Sequence, residues 1–314
     1  SLEQFKYIST ILLENEIYKL TLTGGEPFTN PELMHMIKFS KSRGFKISLH
    51  TNGSLLNKEK ILLLAGILEK EDWIQVSFDG FDVDSYKLAR NSDCFQQICQ
   101  NIKTMVAEDI NVKLNVVVTN KNYKMLDKIY AKAQELGVDK ISFMPLMGSV
   151  DPRDEVYFPS DESVFYEMTK VIKKFMSGNN SVIIDIDGVA VPWGCTLLKK
   201  YVPQSGELVC PAGKTSFEID VNGDVYPCPF LFDTKYLMGN LFTDSMESIW
   251  TNKSVNELVS GMWSTEEMCQ ECEDYKLCKG GCYAMAKHSN RDCDIRCDKV
   301  RRKYKDAAFK ECIR

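Results

Sequence analysis

The sequence predicts an α/β fold: a partial (β/α)6-type, TIM-like barrel followed by a small cysteine-rich domain of loops and hairpins. Six apolar, β-rich runs alternate with helical patterns through the first half, and the cysteines concentrate in the last third. The near-continuous apolar runs at residues 74–78 and 116–118 are typical of parallel strands buried on both faces. We expect the barrel at residues 1–155, a connecting helix and strand at 156–194, and the cysteine-rich domain at 195–314.

The predicted elements follow one another as a repeated β/α unit. Strands are expected, from their β-branched and aromatic content, at residues 18–24, 45–52, 73–80, 112–119, 140–146 and 182–187. Helices are expected, from apolar residues at helical spacing, at residues 2–14, 31–43, 58–69, 95–108, 123–136 and 161–176. This alternation suits the crossover connections that parallel strands require.

Composition and charge exclude several classes of function. The chain has 44% hydrophobic and 26% charged residues, which is a globular composition. Its net charge is −5 with scattered basic residues, so nucleic acid is not an expected partner. No apolar run has the roughly 20 residues that span a bilayer, and the N-terminus lacks the features of a signal peptide. We expect a cytoplasmic protein without a membrane partner.

The cysteines have the spacing of metal ligands. The spacings are Cys210-x12-Gly223-x4-Cys228, Cys269-x2-Cys272-x5-Cys278-x3-Cys282, and a trailing pair, Cys293 and Cys297. Twelve cysteines in a reducing compartment indicate metal or redox chemistry rather than crosslinks. Thiolates are the ligands of zinc and of iron–sulfur clusters, and eight are enough for two four-thiolate centres. A structural zinc module and a disulfide-bonded secreted domain are the alternatives.

Glycine-rich and polar loops follow several predicted strands. Ligands bind at the carboxyl ends of parallel strands in barrels and open sheets, and adjacent glycines let a ligand approach the backbone closely. The loops concerned are Gly24-Gly25-Glu26-Pro27, Thr51-Asn52-Gly53, Ser77 with Asp79-Gly80, and Met144-Pro145.

These loops, in this order, resemble the core of the radical S-adenosylmethionine (radical SAM) superfamily, and the cysteine spacing is similar to its SPASM extension, which binds auxiliary [4Fe–4S] clusters. The resemblance covers nearly the whole chain. It implies S-adenosylmethionine as cofactor, bound by Gly24, Gly25, Glu26, Pro27, Ser77, Arg90 and Asn115. The structural alternatives are helix capping for Glu26, a backbone-bonded hydroxyl for Ser77, a surface salt bridge for Arg90 and a strand amide for Asn115.

The resemblance also implies two interleaved sets of cluster ligands. The first set is Cys210, Cys228 and Cys282 with Cys195 as fourth ligand, and the second is Cys269, Cys272 and Cys278 with Cys297, preferred over Cys293. A hairpin turning at Asn222-Gly223 is expected to bring Cys210 and Cys228 together. Cys94, Cys99 and Cys312 are expected to be incidental.

One departure from the family pattern is large. Radical SAM proteins carry a Cys-x3-Cys-x2-Cys loop after their first strand, and this sequence has no cysteine before Cys94. We expect a polypeptide whose first strand and catalytic cluster loop lie upstream, so that the chain alone is inactive. The alternative is a degenerate protein that has lost this cluster.

The resemblance implies a peptide or protein maturase that uses a 5′-deoxyadenosyl radical to modify a side chain or backbone carbon by thioether or C–C crosslinking, epimerisation or oxidation. Pro229 stands where sulfatase-maturing members have an aspartate, which disfavours formylglycine formation. The expected partners are a precursor peptide and an external one-electron reductant such as flavodoxin or ferredoxin. The alternatives are a tetrapyrrole-modifying enzyme and a noncatalytic iron–sulfur electron-transfer or binding protein.

Overall fold

The computed structural model describes residues 1–147, 159, 161–177, 182–185, 210–255, 258, 267–273, 275–294 and 297. The chain divides into two compact units. The first contains Ser1–Met144 and Glu167–Asp187, and the second contains Pro145–Tyr166 and Gly188–Arg314. The predicted domain boundaries near residues 155 and 194 lie outside the described residues and stay predictions.

A six-stranded sheet forms the centre of the first unit, and its order follows the chain, β1-β2-β3-β4-β5-β6. The pairings β1–β2, β2–β3, β3–β4 and β5–β6 are parallel, so the predicted α/β fold is confirmed. The sixth strand, which sequence analysis assigned to a connecting segment, pairs with β5 in this sheet. The strands are β1 Lys19–Leu22, β2 Lys46–Thr51, β3 Trp73–Ser77, β4 Val112–Val118, β5 Lys140–Pro145 and β6 Ile183–Asp185.

Helices connect the strands at the predicted places. They are α1 Leu2–Glu14, α2 Leu33–Ser42, α3 Lys58–Ala65, α4 Val83–Arg90, α5 Phe95–Ala107, α6 Leu126–Leu136 and α7 Asp161–Met176. Sequence analysis missed α4, which has eight residues and a polar composition. Its start was marked by Asp82, whose carboxylate accepts from the Ser85 amide at 2.8 Å in a capping box.

The two faces of the sheet differ. Leu49, Val76 and Leu114 on one face are fully buried, whereas the in-register neighbours His50, Gln75 and Lys113 on the other face are only partly buried. Buried and partly buried residues therefore alternate along these strands, whereas the sequence predicted strands buried on both faces. Paired residues of a parallel sheet point to the same side, so this second face presents a row of polar side chains.

A buried ion pair joins the first unit where β3 begins. The Asp72 side chain is fully buried and lies 2.7 Å from Lys41 Nζ. Its two carboxylate oxygens also accept from the Ile47 and Glu69 amides, each at 2.7 Å. Burial lowers the pKa of Lys41, but hydrogen bonds to Asp72 and Glu69 outweigh this effect and raise it above 10.5. This cluster ties α2, β2 and the start of β3 together.

The second unit is built on short elements. A three-stranded antiparallel sheet contains β7 Glu218–Ile219, β8 Asp224–Tyr226 and β9 Gly239–Asn240, and the short helices are α8 Met246–Trp250, α9 Glu267–Gln270, α10 Tyr275–Cys278 and α11 Tyr283–His288. The predicted hairpin is confirmed: Gly223 has φ +85°, and Asp220 Oδ1 accepts from the Asn222 and Asp224 amides at 2.7 and 3.0 Å. Within the described residues, no helix has the length and apolarity needed to cross a membrane.

We predict that Asp72→Ala lowers the free energy of unfolding by about 2–4 kcal/mol, because it leaves the Ile47 amide without its acceptor and removes the buried carboxylate that pairs with Lys41. The matched control is Glu69→Ala, which removes a 74% exposed partner of the same lysine and should cost about 1 kcal/mol or less. Urea denaturation of both variants measures the difference. Equal losses would show that the burial of Asp72 contributes nothing.

Candidate functional site

The loop after β1 leaves open space beside its backbone. Gly24 has φ +145°, a conformation that only glycine adopts readily. A Cβ atom built at Gly24 or at Gly25 would meet nothing within 4 Å. Both residues are exposed. The loop can therefore admit a ligand to its backbone, as sequence analysis expected.

Glu26 joins this loop to the end of β2. Its Oε1 accepts from the Thr51 hydroxyl at 2.7 Å and from the Phe28 amide at 3.2 Å. Its Oε2 accepts from the Asn52 amide at 2.7 Å. The side chain thus caps a short 3₁₀ helix, Pro27–Thr29, rather than a helix beginning near residue 31. Both oxygens are engaged within the protein, and an additional contact to a cofactor stays a prediction.

Ser77 and Asn115 lie side by side on the partly exposed face of the sheet. They are paired in register at the carboxyl end of β3, and both are partly buried. Asn115 Oδ1 accepts from the Ser142 hydroxyl at 2.8 Å. Within the described part of the chain, no hydrogen bond holds the Ser77 hydroxyl. The backbone-bonded alternative for Ser77 therefore has no support among the described residues.

Asp79 and Arg90 form an ion pair at this end of the sheet. Arg90 Nη1 donates to Asp79 Oδ2 at 2.7 Å, and the side chains are 27% and 9% exposed. Asp79 Oδ1 accepts from the Val117 amide at 2.6 Å. Burial raises the pKa of Asp79 above 3.8, although Arg90 and the Val117 amide act in the opposite direction. Arg90 therefore forms a salt bridge, which was the structural alternative to cofactor binding, but its partner Asp79 is largely buried and does not lie on the surface.

Gly80, which follows Asp79 in the same sequence motif, allows a close backbone contact with α4. A Cβ atom at Gly80 would lie 2.4 Å from the Tyr86 amide nitrogen and 2.6 Å from its Cα. The glycine is therefore needed for α4 to approach the end of β3. Sequence analysis named Asp79, Thr51 and Asn52 as motif members but did not predict the hydrogen bonds by which they hold the site loops.

Three cysteines of the first predicted set are neighbours in the second unit. Cys228 packs against the hydrophobic cluster that contains buried Cys282. Burial raises the pKa of the Cys228 thiol to about 12; the Phe230 amide opposes this increase, and the Cys282 and Cys210 thiols reinforce it. The Phe230 amide donates to Cys228 Sγ at 3.3 Å. The predicted fourth ligand, Cys195, lies outside the described residues.

The second predicted set lies on two short helices, in the turn between them and in the segment that follows. The Cys272 amide donates to the Cys269 carbonyl at 3.1 Å, so these two residues share one turn, and Cys278 ends α10. Cys293 is fully buried, whereas Cys297 is partly buried. Among the described residues, no group of three or more His, Cys, Asp or Glu side chains already has the geometry of a metal site. The thiol donors suit iron–sulfur clusters, but the assignment of each ligand stays a prediction.

Three further cysteines belong to neither predicted set. Cys94 precedes α5 and Cys99 lies within it, and burial raises the pKa of the Cys99 thiol. Cys312 lies outside the described residues.

Comparison with known families identifies both parts of the chain. Residues 1–133 match the radical SAM superfamily, and residues 210–273 match SPASM, an iron–sulfur cluster-binding domain. The chain therefore contains a radical SAM domain, followed toward its C-terminus by a SPASM domain.

Several curated proteins are similar over most of the chain. The antilisterial bacteriocin subtilosin biosynthesis protein AlbA of Bacillus subtilis (strain 168) is 28% identical over 299 residues, covering 93% of this chain and 62% of AlbA. The mycofactocin maturase MftC of Mycobacterium tuberculosis (strain CDC 1551 / Oshkosh) is 25% identical, covering 90% of this chain and 71% of MftC. The AdoMet-dependent heme synthase of Methanosarcina barkeri (strain Fusaro / DSM 804) is 26% identical, covering 85% and 77%.

Among solved structures, native anSMEcpe with bound AdoMet has a TM-score of 0.75 and 19% sequence identity, and the match covers 99% of this chain and 88% of that protein. This similarity confirms the fold of the chain. The chain spans somewhat less than two thirds of the length of AlbA.

We predict that Arg90→Gln lowers the free energy of unfolding by about 2–4 kcal/mol at neutral pH, because it leaves Asp79 buried without its cation. The control is Lys87→Gln on the same helix, whose partner Asp93 is 74% exposed, so its loss should leave the stability nearly unchanged.

The pH dependence of this loss tests its cause. Burial raises the pKa of folded Asp79, so its folded state binds a proton more tightly than the unfolded chain, and its contribution to stability falls as the pH rises through the folded pKa. Without Arg90 that pKa rises further, so the deficit of Arg90→Gln should shrink on acidification toward pH 4. Urea titrations of the apoprotein at several pH values measure this trend, and a deficit independent of pH would contradict it.

Proposed function

We propose that this chain is the S-adenosylmethionine-binding and auxiliary-cluster part of a radical SAM enzyme that matures a peptide. The observation that carries this proposal is the combination of the two family matches in one chain with an open glycine loop next to the polar ends of β2, β3 and β4. When bound, the cofactors supply one-electron cleavage of S-adenosylmethionine and a 5′-deoxyadenosyl radical that removes a hydrogen atom from the substrate.

The residues of the first unit bind and orient the cofactor in this proposal. Gly24 and Gly25 present backbone polar groups in open space, and Glu26 holds their loop against the end of β2. Ser77 offers its hydroxyl to the polar end of the cofactor, and the Asn115 amide is oriented by Ser142. Arg90, anchored by Asp79, keeps guanidinium donors for the cofactor carboxylate.

The residues of the second unit hold the auxiliary clusters. The proposed ligands are Cys195, Cys210, Cys228 and Cys282 for one cluster, and Cys269, Cys272, Cys278 and Cys297 for the other. The electrostatic proximity of Cys228 to Cys210 and Cys282 supports the first set. The Phe230 amide that donates to Cys228 Sγ is the kind of hydrogen bond to sulfur that tunes a cluster potential.

A peptide is the proposed substrate. Similarity to the subtilosin biosynthesis protein AlbA and to the mycofactocin maturase MftC supports this substrate class. Pro229, directly after Cys228, disfavours formylglycine formation. A tetrapyrrole is the second candidate, because the heme synthase is similar to the chain to the same degree. An external one-electron reductant such as flavodoxin or ferredoxin is the proposed electron donor. The cytoplasm is the proposed location, since thiolate ligands persist in a reducing compartment.

We predict that Gly25→Ala weakens S-adenosylmethionine binding about tenfold or more without unfolding the protein, because the new methyl group occupies the space of the ligand and touches no protein atom. The control is Gly66→Ala after α3, where φ is −77° and the nearest atoms to a Cβ are 3.7 and 3.8 Å away. Calorimetry on the cluster-loaded product of the complete gene measures affinity, and urea denaturation measures stability. Unchanged affinity for Gly25→Ala would contradict the cofactor assignment of this loop.

We predict that the complete gene product, reduced with dithionite, forms 5′-deoxyadenosine and changes the mass of a peptide encoded beside its gene. Synthetic versions of the neighbouring short open reading frames and a tetrapyrrole with propionate side chains serve as parallel substrates, followed by mass spectrometry. Conversion of the tetrapyrrole with no change in any peptide would replace the proposed substrate with the second candidate.

A further inference from the structure

Asp294 is a fully buried acidic residue between the cysteine segments of the second unit. A carboxyl group is seldom buried to this extent unless it is hydrogen-bonded. Its Oδ2 accepts from the Cys282 amide at 2.8 Å. Its own amide donates to the Gly280 carbonyl at 2.8 Å, and its carbonyl accepts from the Cys297 amide at 3.2 Å. Three hydrogen bonds thus connect this one residue to the segments of two predicted ligands.

The loop that Asp294 contacts has an unfavourable backbone conformation. Lys279, Gly280 and Gly281 have φ values of +49°, +92° and +89°, so three successive residues lie on the left-handed side of conformational space. Such a run is not stable by itself and persists where the surrounding structure fixes it. These three residues are the whole connection between Cys278 and Cys282.

Gly281 and Asp294 are in direct contact. A Cβ atom at Gly281 would lie 2.3 Å from the Asp294 Cβ and 2.8 Å from its Oδ2. Any side chain at residue 281 would therefore displace Asp294 from the Cys282 amide. The absence of a side chain at Gly281 and the burial of Asp294 are parts of one arrangement.

We propose that Asp294 is a positioning residue that fixes Cys282 relative to Cys278 and Cys297, and so sets the geometry of both auxiliary clusters. This inference rests on the proposed function, in which Cys282 serves the first cluster while Cys278 and Cys297 serve the second. Asp294 acts through the backbone in this arrangement, because its Oδ2 accepts from the Cys282 amide. That hydrogen bond also withholds the Cys282 N–H from the sulfur atoms of a cluster.

The test compares the reconstituted chain with Asp294→Ala, Asp294→Asn and the control Asp292→Ala, whose side chain is 54% exposed. The wild-type chain should bind about eight irons, as two [4Fe–4S] clusters do. Asp294→Ala should hold iron about tenfold less tightly against a chelator, the usual loss for an outer-shell partner. Asp294→Asn retains an oxygen acceptor for the Cys282 amide and should recover most of this affinity, while Asp292→Ala should match wild type.

Two spectroscopic readouts separate positioning from general stability. Freeing the Cys282 N–H lets it donate to sulfur, so Asp294→Ala should shift the reduction potential of the first cluster upward, and electron paramagnetic resonance should show altered signals from both clusters. Asp294→Asn should show a smaller shift in potential and smaller changes in these signals than Asp294→Ala. Wild-type spectra and chelator resistance in Asp294→Ala would overturn the inference while leaving the proposed function intact. Zinc or no metal in the wild-type chain would overturn both.

A second pair of variants covers the case in which Asp294→Ala does not fold, as judged by urea denaturation of the apoprotein. Gly281→Ala inserts a methyl group against Asp294 and should lower iron affinity in the same way. Gly44→Ala is its control, because Gly44 also has positive φ, +84°, but a Cβ there meets nothing within 4 Å. Equal iron affinity in Gly281→Ala and Gly44→Ala would overturn the inference by itself.

Discussion

The proposed cofactor end of the first unit depends on the carboxyl group of Asp79. The last ladder bond between β3 and β4 runs from the Phe78 amide to the Asn115 carbonyl at 2.8 Å. Beyond it, Asp79 Oδ1 accepts from the Val117 amide, so a side chain continues the pairing after β3 has stopped. The Asp79 carbonyl accepts from Asn122 at 3.2 Å, and Arg90 balances the buried carboxylate. Asp79 therefore extends the pairing of β3 and β4 beyond the ladder that already places Ser77 beside Asn115.

Much of the first unit could be predicted because its elements are governed by local periodicity. The strands and most helices appear where apolar spacing places them, since burial against helices requires alternate residues to be apolar. The helix α4 escaped detection because eight mostly polar residues have little periodic signal, and its burial rests mainly on Tyr86. The alternation of faces was missed although it is present in Ile74–Phe78, where Gln75 and Ser77 alternate with apolar residues, because the run was interpreted as continuously apolar.

The roles of the site residues were less accessible, because each depends on a partner distant in sequence. Glu26 could be seen as a helix cap, but not as the acceptor of Thr51, 25 residues later. Arg90 matched a cofactor-binding arginine, yet its buried partner is Asp79, which belongs to a different motif of the same family. A family motif predicts which residues approach a ligand. The hydrogen-bond partners of those residues lie in other loops, so they depend on tertiary packing and cannot be predicted from one motif.

The thiols of the second unit illustrate the same limit in energetic terms. Cys228 lies among apolar residues with Cys282, and burial keeps its proton firmly bound. Ionising several neighbouring thiols at once would be costly, since desolvation and mutual repulsion both oppose it. Iron replaces those protons and supplies the compensating charge, so ligand geometry and metal binding develop together. The family resemblance therefore predicts which cysteines share a cluster, and in the proposed arrangement Asp294 and the loop at Gly281 hold their backbones in place before the metal binds.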